Sequence, residues 1–354
     1  MTTKYLPKDY DIFIGLDVDS KKFSFTVQDH NTMNKAKTIP SEPKQLYTYV
    51  QNRFADKKVL FAYEAGPTGY HLHDYLSTKG QECLVVSPLS IPKAPNQKVK
   101  NNRLDSQKIV EELKAGKLKS IRVPEDIYRE LRHLINLREN YAHNRKVAKQ
   151  RIKALLLYTN LSPCLEKIEQ NWSNNYMRVL KGLPCSSAVR RRLNMLLMDI
   201  DYARKQTASI LHQLRTFVKT QKGIQQYMSY LVSIPGIGFI TAATLLARTG
   251  NPKGLTNVRE LSAFVGLVPT ERSTGDDVNR GSITHMGNRI LRSLLVEAAW
   301  SAIRKDKELN QFYFRIKNRH HPAIGARKAI VAVARKLTQR IYCVLKEQRL
   351  YITH

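Results

Sequence analysis

The sequence predicts an α/β portion at its N-terminal end and an all-α remainder. Three observations carry that expectation. Short apolar or alternating runs interleave with helical periods over residues 11–122. Glycine then becomes scarce, and long helical periods rich in Arg, Lys, Leu and Gln fill 124–222. Beyond them, apolar helical segments bracket a polar, glycine-punctuated stretch from Gly266 to Asn288, GLVPTERSTGDDVNRGSITHMGN. A chain of 354 residues has room for two or three domains. Boundaries are expected to give 1–123, 124–225 and 226–354.

DIFIGLDV is a short apolar run ending around Asp17, and KFSFTVQD alternates apolar and polar residues, so the pair predicts a hairpin. A third edge strand is expected near Lys35 to Ile39, and a helix near Glu42 to Phe54. KVLFAY reads as a buried strand that delivers Glu64 at its end. A helix should follow Gly66-Pro67-Thr68-Gly69 as far as Lys79, and ECLVVS is a further strand. A basic loop with Lys93, Lys98, Lys100 and Arg103 leads into a helix carrying Asp105. Antiparallel strands followed by strand–helix–strand units give a mixed sheet.

Leu196, Ile200, Ala203, Thr207, Ile210, Leu214 and Phe217 recur at 4-3-4-3-4-3 spacing. That is the seam of a coiled coil, or of a helix inside a bundle. Tyr128 to Leu157 predicts a second helix, basic through Arg138, Arg145, Lys146, Lys149, Arg151 and Lys153; it is either a solvated face or an arm that meets nucleic acid or a second subunit. LVSIPGIGFITAATLL has the form of a helix-hairpin-helix element. Its glycine-rich corner either presents N–H groups to a phosphate or serves packing alone. HPAIGARKAIVAVARKLTQRIYCVLKEQ closes the chain as an amphipathic basic helix.

Lys and Arg number 59 against 29 Asp and Glu, a net charge of +30. The excess is spread along the chain, which points to a polyanion, above all nucleic acid. A membrane surface is the weaker alternative, because no basic amphipathic helix with an aromatic face stands out. Cys83, Cys164, Cys185 and Cys343 form no CxxC or Cys/His cluster. They read as reduced, mostly buried thiols of a cytoplasmic protein. No signal peptide is visible at the start. Gly223 to Ala247 carries no charge but is broken by Pro235-Gly236, so two buried helices are expected there and no membrane span.

Ser273 and Thr274 precede Gly275, with Arg272, Arg280, Arg289 and Arg292 around them. Hydroxyls beside a permissive glycine, ringed by guanidinium groups, suit a phosphate held next to a nucleophile. The same residues also make ordinary turn chemistry. Asp17, Glu64 and Asp105 fall at element ends that can converge on one sheet edge. Clustered carboxylates there suggest a Mg²⁺ site for phosphoryl chemistry.

These blocks resemble the insertion-sequence transposases of the IS-110-like group, which includes pilin-gene-inverting recombinases. GLDVDSKKFSF, AYEAGPTGYHL and KVKNNRLDSQKI look like the three blocks of its N-terminal nuclease domain. IPGIGFITAATLLA and FVGLVPTERSTGDDVNRGSITHMGNRILRSLLVEAAW look like its C-terminal transposase domain. The resemblance implies an N-terminal RNase H-like (RuvC-like) mixed sheet, a central helical coiled-coil arm and a C-terminal helical transposase domain. It implies an acidic tetrad holding Mg²⁺, matched here by Asp17, Glu64, Asn102 and Asp105, and a C-terminal serine that attacks DNA. Lys100 and Arg103, with the loop arginines, would contact DNA or RNA. The implied partners are donor and target DNA, a structured guide RNA of the bridge type and further copies of the chain, as dimer or tetramer with composite sites, in a prokaryotic cytoplasm or nucleoid.

Two positions depart from the pattern. Asn102 stands where the family carries Asp, which removes one negative charge from the metal site. Thr274 stands where the family's serine precedes glycine, with Ser273 just before it, so either hydroxyl is a candidate nucleophile. Two other readings compete: a metal-dependent junction nuclease using water, and a catalytically inactive nucleic-acid-binding relative.

Overall fold

The alternation of the first hundred residues builds one mixed sheet. A computed structural model describes residues 2–3, 5–32, 34, 36–91, 102–162, 172–271, 280–284 and 286–352. Contacts divide the chain into two units, Met1–Val123 and Pro124–His354.

The first unit runs β1 (Thr2–Thr3), β2 (Ile12–Val18), β3 (Lys22–Gln28), β4 (Lys37–Pro40), α1 (Pro43–Phe54), β5 (Val59–Glu64), α2 (His71–Thr78), β6 (Glu82–Val86), α3 (Asn102–Lys114) and β7 (Ser120–Ile121). The strand order across the sheet is β1-β7-β6-β5-β2-β3-β4. β2, β5 and β6 are parallel, while β3, β4 and β7 pair antiparallel. Sheets with a central parallel set need cover on both faces, which explains the continuous apolar run of β5. On one face Ile14, Leu16 and Phe61 pack with Leu46 and Val50 of α1 and Leu76 of α2. On the other, Phe13, Leu60 and Ala62 pack with Ile109, Val110 and Leu113 of α3. The β2–β3 turn is fixed by Asp19, whose carboxylate accepts from the Lys21 N–H at 3.3 Å. β4 begins two residues later than the sequence suggests. β1 and β7 are two residues each, too short to leave an alternating pattern.

The second unit comprises α4 (Asp126–Tyr158), α5 (Asn174–Gly182), α6 (Ser187–Thr220), α7 (Lys222–Val232), α8 (Phe239–Thr249), α9 (Val258–Val265), β8 (Pro269–Glu271), β9 (Arg280–Ile283), α10 (Arg289–Lys305), α11 (Lys307–Lys317) and α12 (Pro322–Glu347). The long helices α4 and α6 pack on each other within the chain. Of the 4-3 seam, Leu196, Ile200, Ala203, Ile210 and Leu214 are buried. The end of this helical pair is closed by α5, whose Tyr176, Met177 and Leu180 join Ile152, Leu155 and Leu193 in one cluster. Ser173 and Ser186 cap α5 and α6.

The corner between α7 and α8 turns through Gly236 at φ 90°. A Cβ there would collide with the backbone of Ala298 and Ala302, so this glycine seats the corner directly on α10. Gly238, exposed at the start of α8, meets no such neighbour. Among the described residues no helix is long and apolar enough to cross a membrane. The expectation of mostly buried thiols is corrected: Cys83 is buried, Cys185 half-buried and Cys343 exposed, and Cys164 lies outside the described residues.

Candidate active site

Asp17 and Glu64 share one face of the first unit's sheet. Side chains alternate along a strand, so Phe13, Gly15 and Asp17 point to one side of β2. Phe13 packs in the α3 layer, and Gly15 touches α3. Asp17 therefore faces α3. The same count along β5 puts Leu60, Ala62 and Glu64 on that side. The parallel pairing runs to Leu16 opposite Tyr63, and the next residues are Asp17 and Glu64. The two carboxylates thus leave neighbouring strands at the same end and toward the same layer. Asp17 is half-buried and Glu64 exposed.

α3, packed over that face, carries Asp105 in its first turn. Its placement depends on Gly15. A Cβ at Gly15 would lie 2.5 Å from both the Ser106 carbonyl oxygen and the Val110 nitrogen. Helix and strand backbones therefore meet with nothing between them. The buried hydroxyls of Thr26 and Ser106 pair at 2.9 Å one residue past Asp105. A lone glycine inside an apolar strand run, IGLD, is the sequence signal for such an approach. Our sequence reading took Asp17 from this run and passed over Gly15. After Glu64 the chain is tied back by the Tyr63 hydroxyl, which donates to the Gly69 carbonyl at 3.1 Å. Burial pushes that phenol well above its ordinary range, so it stays a donor.

The carboxylates offer the hard oxygen donors that Mg²⁺ takes. Among the described residues, no group of three or more His, Cys, Asp or Glu side chains stands close enough to hold a metal. Asn102 opens α3 one turn before Asp105, and Arg103 follows it. The side chains of both, and all of Lys100, lie outside the described residues.

The hydroxyl-bearing stretch was expected to be a loop throughout. It is corrected in part: β8 and β9 pair as a two-stranded ribbon, with Pro269 opposite Ile283 and Glu271 opposite Arg280. Strands of three and four residues, polar on both sides, carry no alternation to read. Arg272, Ser273 and Thr274 fall between them, in the connection 272–279 outside the described residues, and the Arg280 side chain lies there too.

At the base of the ribbon all residues but His285 are described. α9 ends on Gly266 in the left-handed conformation at φ 80°. Gly287, at φ 101°, packs so tightly that a Cβ would lie 2.7 Å from the Gly266 nitrogen. Asn288 caps α10 by accepting from the Leu291 N–H at 3.0 Å. Arg292 aims one guanidinium nitrogen at three carbonyls, those of Thr284 at 3.4 Å and of Gly266 and Met286 at 3.5 Å. Arg289 stands exposed in the first turn of α10. Of the four arginines read as one ring, Arg292 braces backbone and Arg289 faces solvent.

Comparison with known proteins bears on both regions. The family described as Transposase IS116/IS110/IS902 matches residues 228–314. A second family, described as Transposase and of the DEDD type in such elements, matches residues 14–160. Together they take in well over half of the chain. The chain belongs to the IS116/IS110/IS902 transposase family. A putative transposase of Sinorhizobium fredii is 28% identical over 302 residues, 83% of this chain and 72% of its own length. The transposase for insertion sequence element IS1111A of Coxiella burnetii is 26% identical over 71% of this chain and 68% of its own. That for element IS1533 of Leptospira borgpetersenii is 22% identical over 82% and 84%. In this transposase the DEDD match spans Asp17, Glu64, Asn102 and Asp105, and the other match spans the ribbon and Arg292.

Proposed function

We propose that this insertion-sequence transposase cleaves and exchanges DNA strands through a covalent link between Ser273 or Thr274 and DNA, directed by a structured RNA. What supports the reading is the shared side of Asp17 and Glu64 in the β2–β5 register, with α3, which carries Asp105, packed over that side at Gly15. The first unit then acts as an RNase H-like domain. Asp17, Glu64 and Asp105, with the Asn102 amide oxygen, would hold a divalent cation, Mg²⁺ by donor type. When bound, that ion stabilises charge on the phosphate.

The chain's own groups supply the rest. A hydroxyl oxygen of Ser273 or Thr274 bonds to phosphorus, and the bond from phosphorus to one bridging oxygen breaks. The hydroxyl proton passes to a carboxylate of the acidic face, which returns it to the departing oxygen. Rejoining reverses the exchange on a second strand. Both parts act on one phosphodiester once subunits assemble on nucleic acid, as dimer or tetramer. Arg272, Arg280, Arg289, Lys100 and Arg103 contact DNA or RNA oxygens.

The test is capture of a protein–DNA adduct on a nicked suicide substrate in the presence of Mg²⁺ and the co-purifying RNA. We expect an adduct that Ser273→Ala or Thr274→Ala removes, and that Asn102→Asp increases. Nicks with free ends and no adduct, in the parent and in Asn102→Asp, would overturn the covalent step. Sequencing the co-purifying RNA checks the guide; unrelated cellular RNA alone would refute it.

A further inference from the structure

The α4–α6 pair carries a cavity of about 350 Å³ between Tyr141, Asn144, Arg151, Asp199 and Tyr202, with Tyr141 and Tyr202 edge to face at 5.9 Å. Beside it runs a row of cations. Arg138, Arg145, Lys149 and Lys153 follow one another at 7-4-4 spacing, which keeps them on one stripe of α4. Arg204 joins them from α6. The lysine at the centre feels its neighbours: burial first, then the charges of Arg145, Arg204 and Lys153, hold the Lys149 ammonium below its ordinary range. Asp201 pairs with Arg204 at 4.0 Å, and Glu139, which pairs with Arg248 at 3.0 Å, acts on Arg138. Among the described residues, Arg145, Lys149 and Lys153 form no ion pair.

An aromatic ring stands beside the same row. Trp172 holds φ at 59°, a left-handed backbone that a bulky residue rarely adopts. Its ring stands 5.1 Å from the Lys149 ammonium and edge to face with Tyr176 at 5.4 Å. The ring is anchored against the apolar cluster of α4, α5 and α6 while Lys149 stands over it, which sets an aromatic surface beside the cations. Successive i,i+4 cations advance by roughly 6 Å along the helix, a step suited to neighbouring phosphates on one strand.

We propose that this side of the α4–α6 pair is a seat for the sugar–phosphate backbone of a nucleic acid, held by Arg145, Lys149, Lys153 and Arg204 beside Trp172 without reading bases. Crowded like charges are unfavourable until a polyanion neutralises them, and counterion release then drives binding. The seat uses none of the residues proposed for strand transfer and does not depend on their chemistry.

The full chain tests this through the salt dependence of binding. Two probes are used, a short DNA duplex and a short RNA hairpin, both of unrelated sequence. In Arg145→Gln/Lys149→Gln, the slope of log affinity against log salt on duplex should become shallower by about two, at roughly 0.9 per phosphate contact. The control Lys44→Gln/Arg53→Gln, which removes the same charge from α1, should keep the parent slope. A change with one probe only assigns the seat to DNA or to RNA; a change with both assigns it to the shared backbone. An unchanged slope with both probes, or an equal change in the control, overturns the proposal. A second measurement needs no loss of charge. The chain has two tryptophans, so Trp300→Phe leaves Trp172 as the sole reporter, and its emission should change on binding either probe. Constant emission at saturation overturns the seat whatever the adduct assay returns.

Discussion

The Thr26 hydroxyl lies 2.9 Å from the Ser106 hydroxyl, both side chains buried, one residue past Asp105. This pair ties α3, which carries Asp105, to β3. Thr26→Val keeps the shape of the side chain and takes from Ser106 its partner across the sheet. We expect a loss of about 1–2 kcal/mol in urea unfolding, the size of one buried hydrogen bond. Adding Ser106→Ala should cost less than the sum of the two single changes, because donor and acceptor then leave together. An additive pair of losses would show that the hydroxyls are not coupled.

Gly15 tests the same joint from the strand side. A Cβ at 2.5 Å from the Ser106 oxygen and the Val110 nitrogen meets backbone, which cannot rotate aside. Gly15→Ala should therefore push α3 off β2 and destabilise the first unit by about 1–3 kcal/mol, the usual range for overpacking. DNA cleavage should fall further than stability accounts for, since Asp105 moves with the helix. Thermal unfolding and single-turnover cleavage measured below the melting transition separate the two effects. Cleavage that tracks the folded fraction would show that Asp105 keeps its place.

Much of the first unit was legible because its signals are strong. Seven-residue strands such as IFIGLDV and KFSFTVQ, and the buried VLFAY run, give unambiguous periods. The carboxylates were found by position at strand ends, but their common face follows from register, which local sequence does not fix. The β8–β9 ribbon stayed hidden because polar strands of three and four residues resemble loops. The partner of the 4-3 seam was also open: a heptad pattern states that a face is buried, not against what. Here α4 of the same chain covers it. Arg292 was misleading for a related reason, since composition reveals a guanidinium near a loop and not which oxygens it serves.

Those oxygens lead to a prediction for Arg292. With Thr284, Gly266 and Met286 carbonyls at 3.4–3.5 Å, it is a positioning residue for the ribbon that leads into Ser273 and Thr274. Arg292→Ala should lower the rate of the chemical step by tenfold or more, equivalent to about 1.4 kcal/mol. The salt slope of DNA binding should stay unchanged. A residue that gripped phosphate would behave in the opposite way, losing about one unit of slope. Arg292→Lys keeps the charge but not the planar fork, so it should resemble Arg292→Ala.

A buried ion pair sets the acid limit of the second unit. Arg340 donates to Asp306 at 2.6 Å, with the Asp306 side chain 2% exposed and that of Arg340 9%. Tyr351 reaches the same pair, its ring 5.0 Å from the guanidinium and its N–H donating to Ser233 at 2.8 Å. Burial alone would raise the Asp306 carboxyl. The hydrogen bond from Arg340, the Leu309 N–H and the Arg340 charge together outweigh it and hold the group below its ordinary range. A carboxyl lowered on folding stabilises the native state above its unfolded value, about 3.9, and that contribution disappears as pH falls through the lowered folded value. Asp306→Asn should therefore cost about 3 kcal/mol at neutral pH, because it leaves the buried Arg340 charge to the exposed Glu308 carboxylate. The parent should lose part of that advantage in urea titrations as pH drops below about 4, and the variant should not. Adding Arg340→Met to Asp306→Asn should recover stability, since the uncompensated charge goes with it. If the parent and Asp306→Asn instead showed parallel stability curves from neutral pH to acid, the pair would have no part in the acid limit.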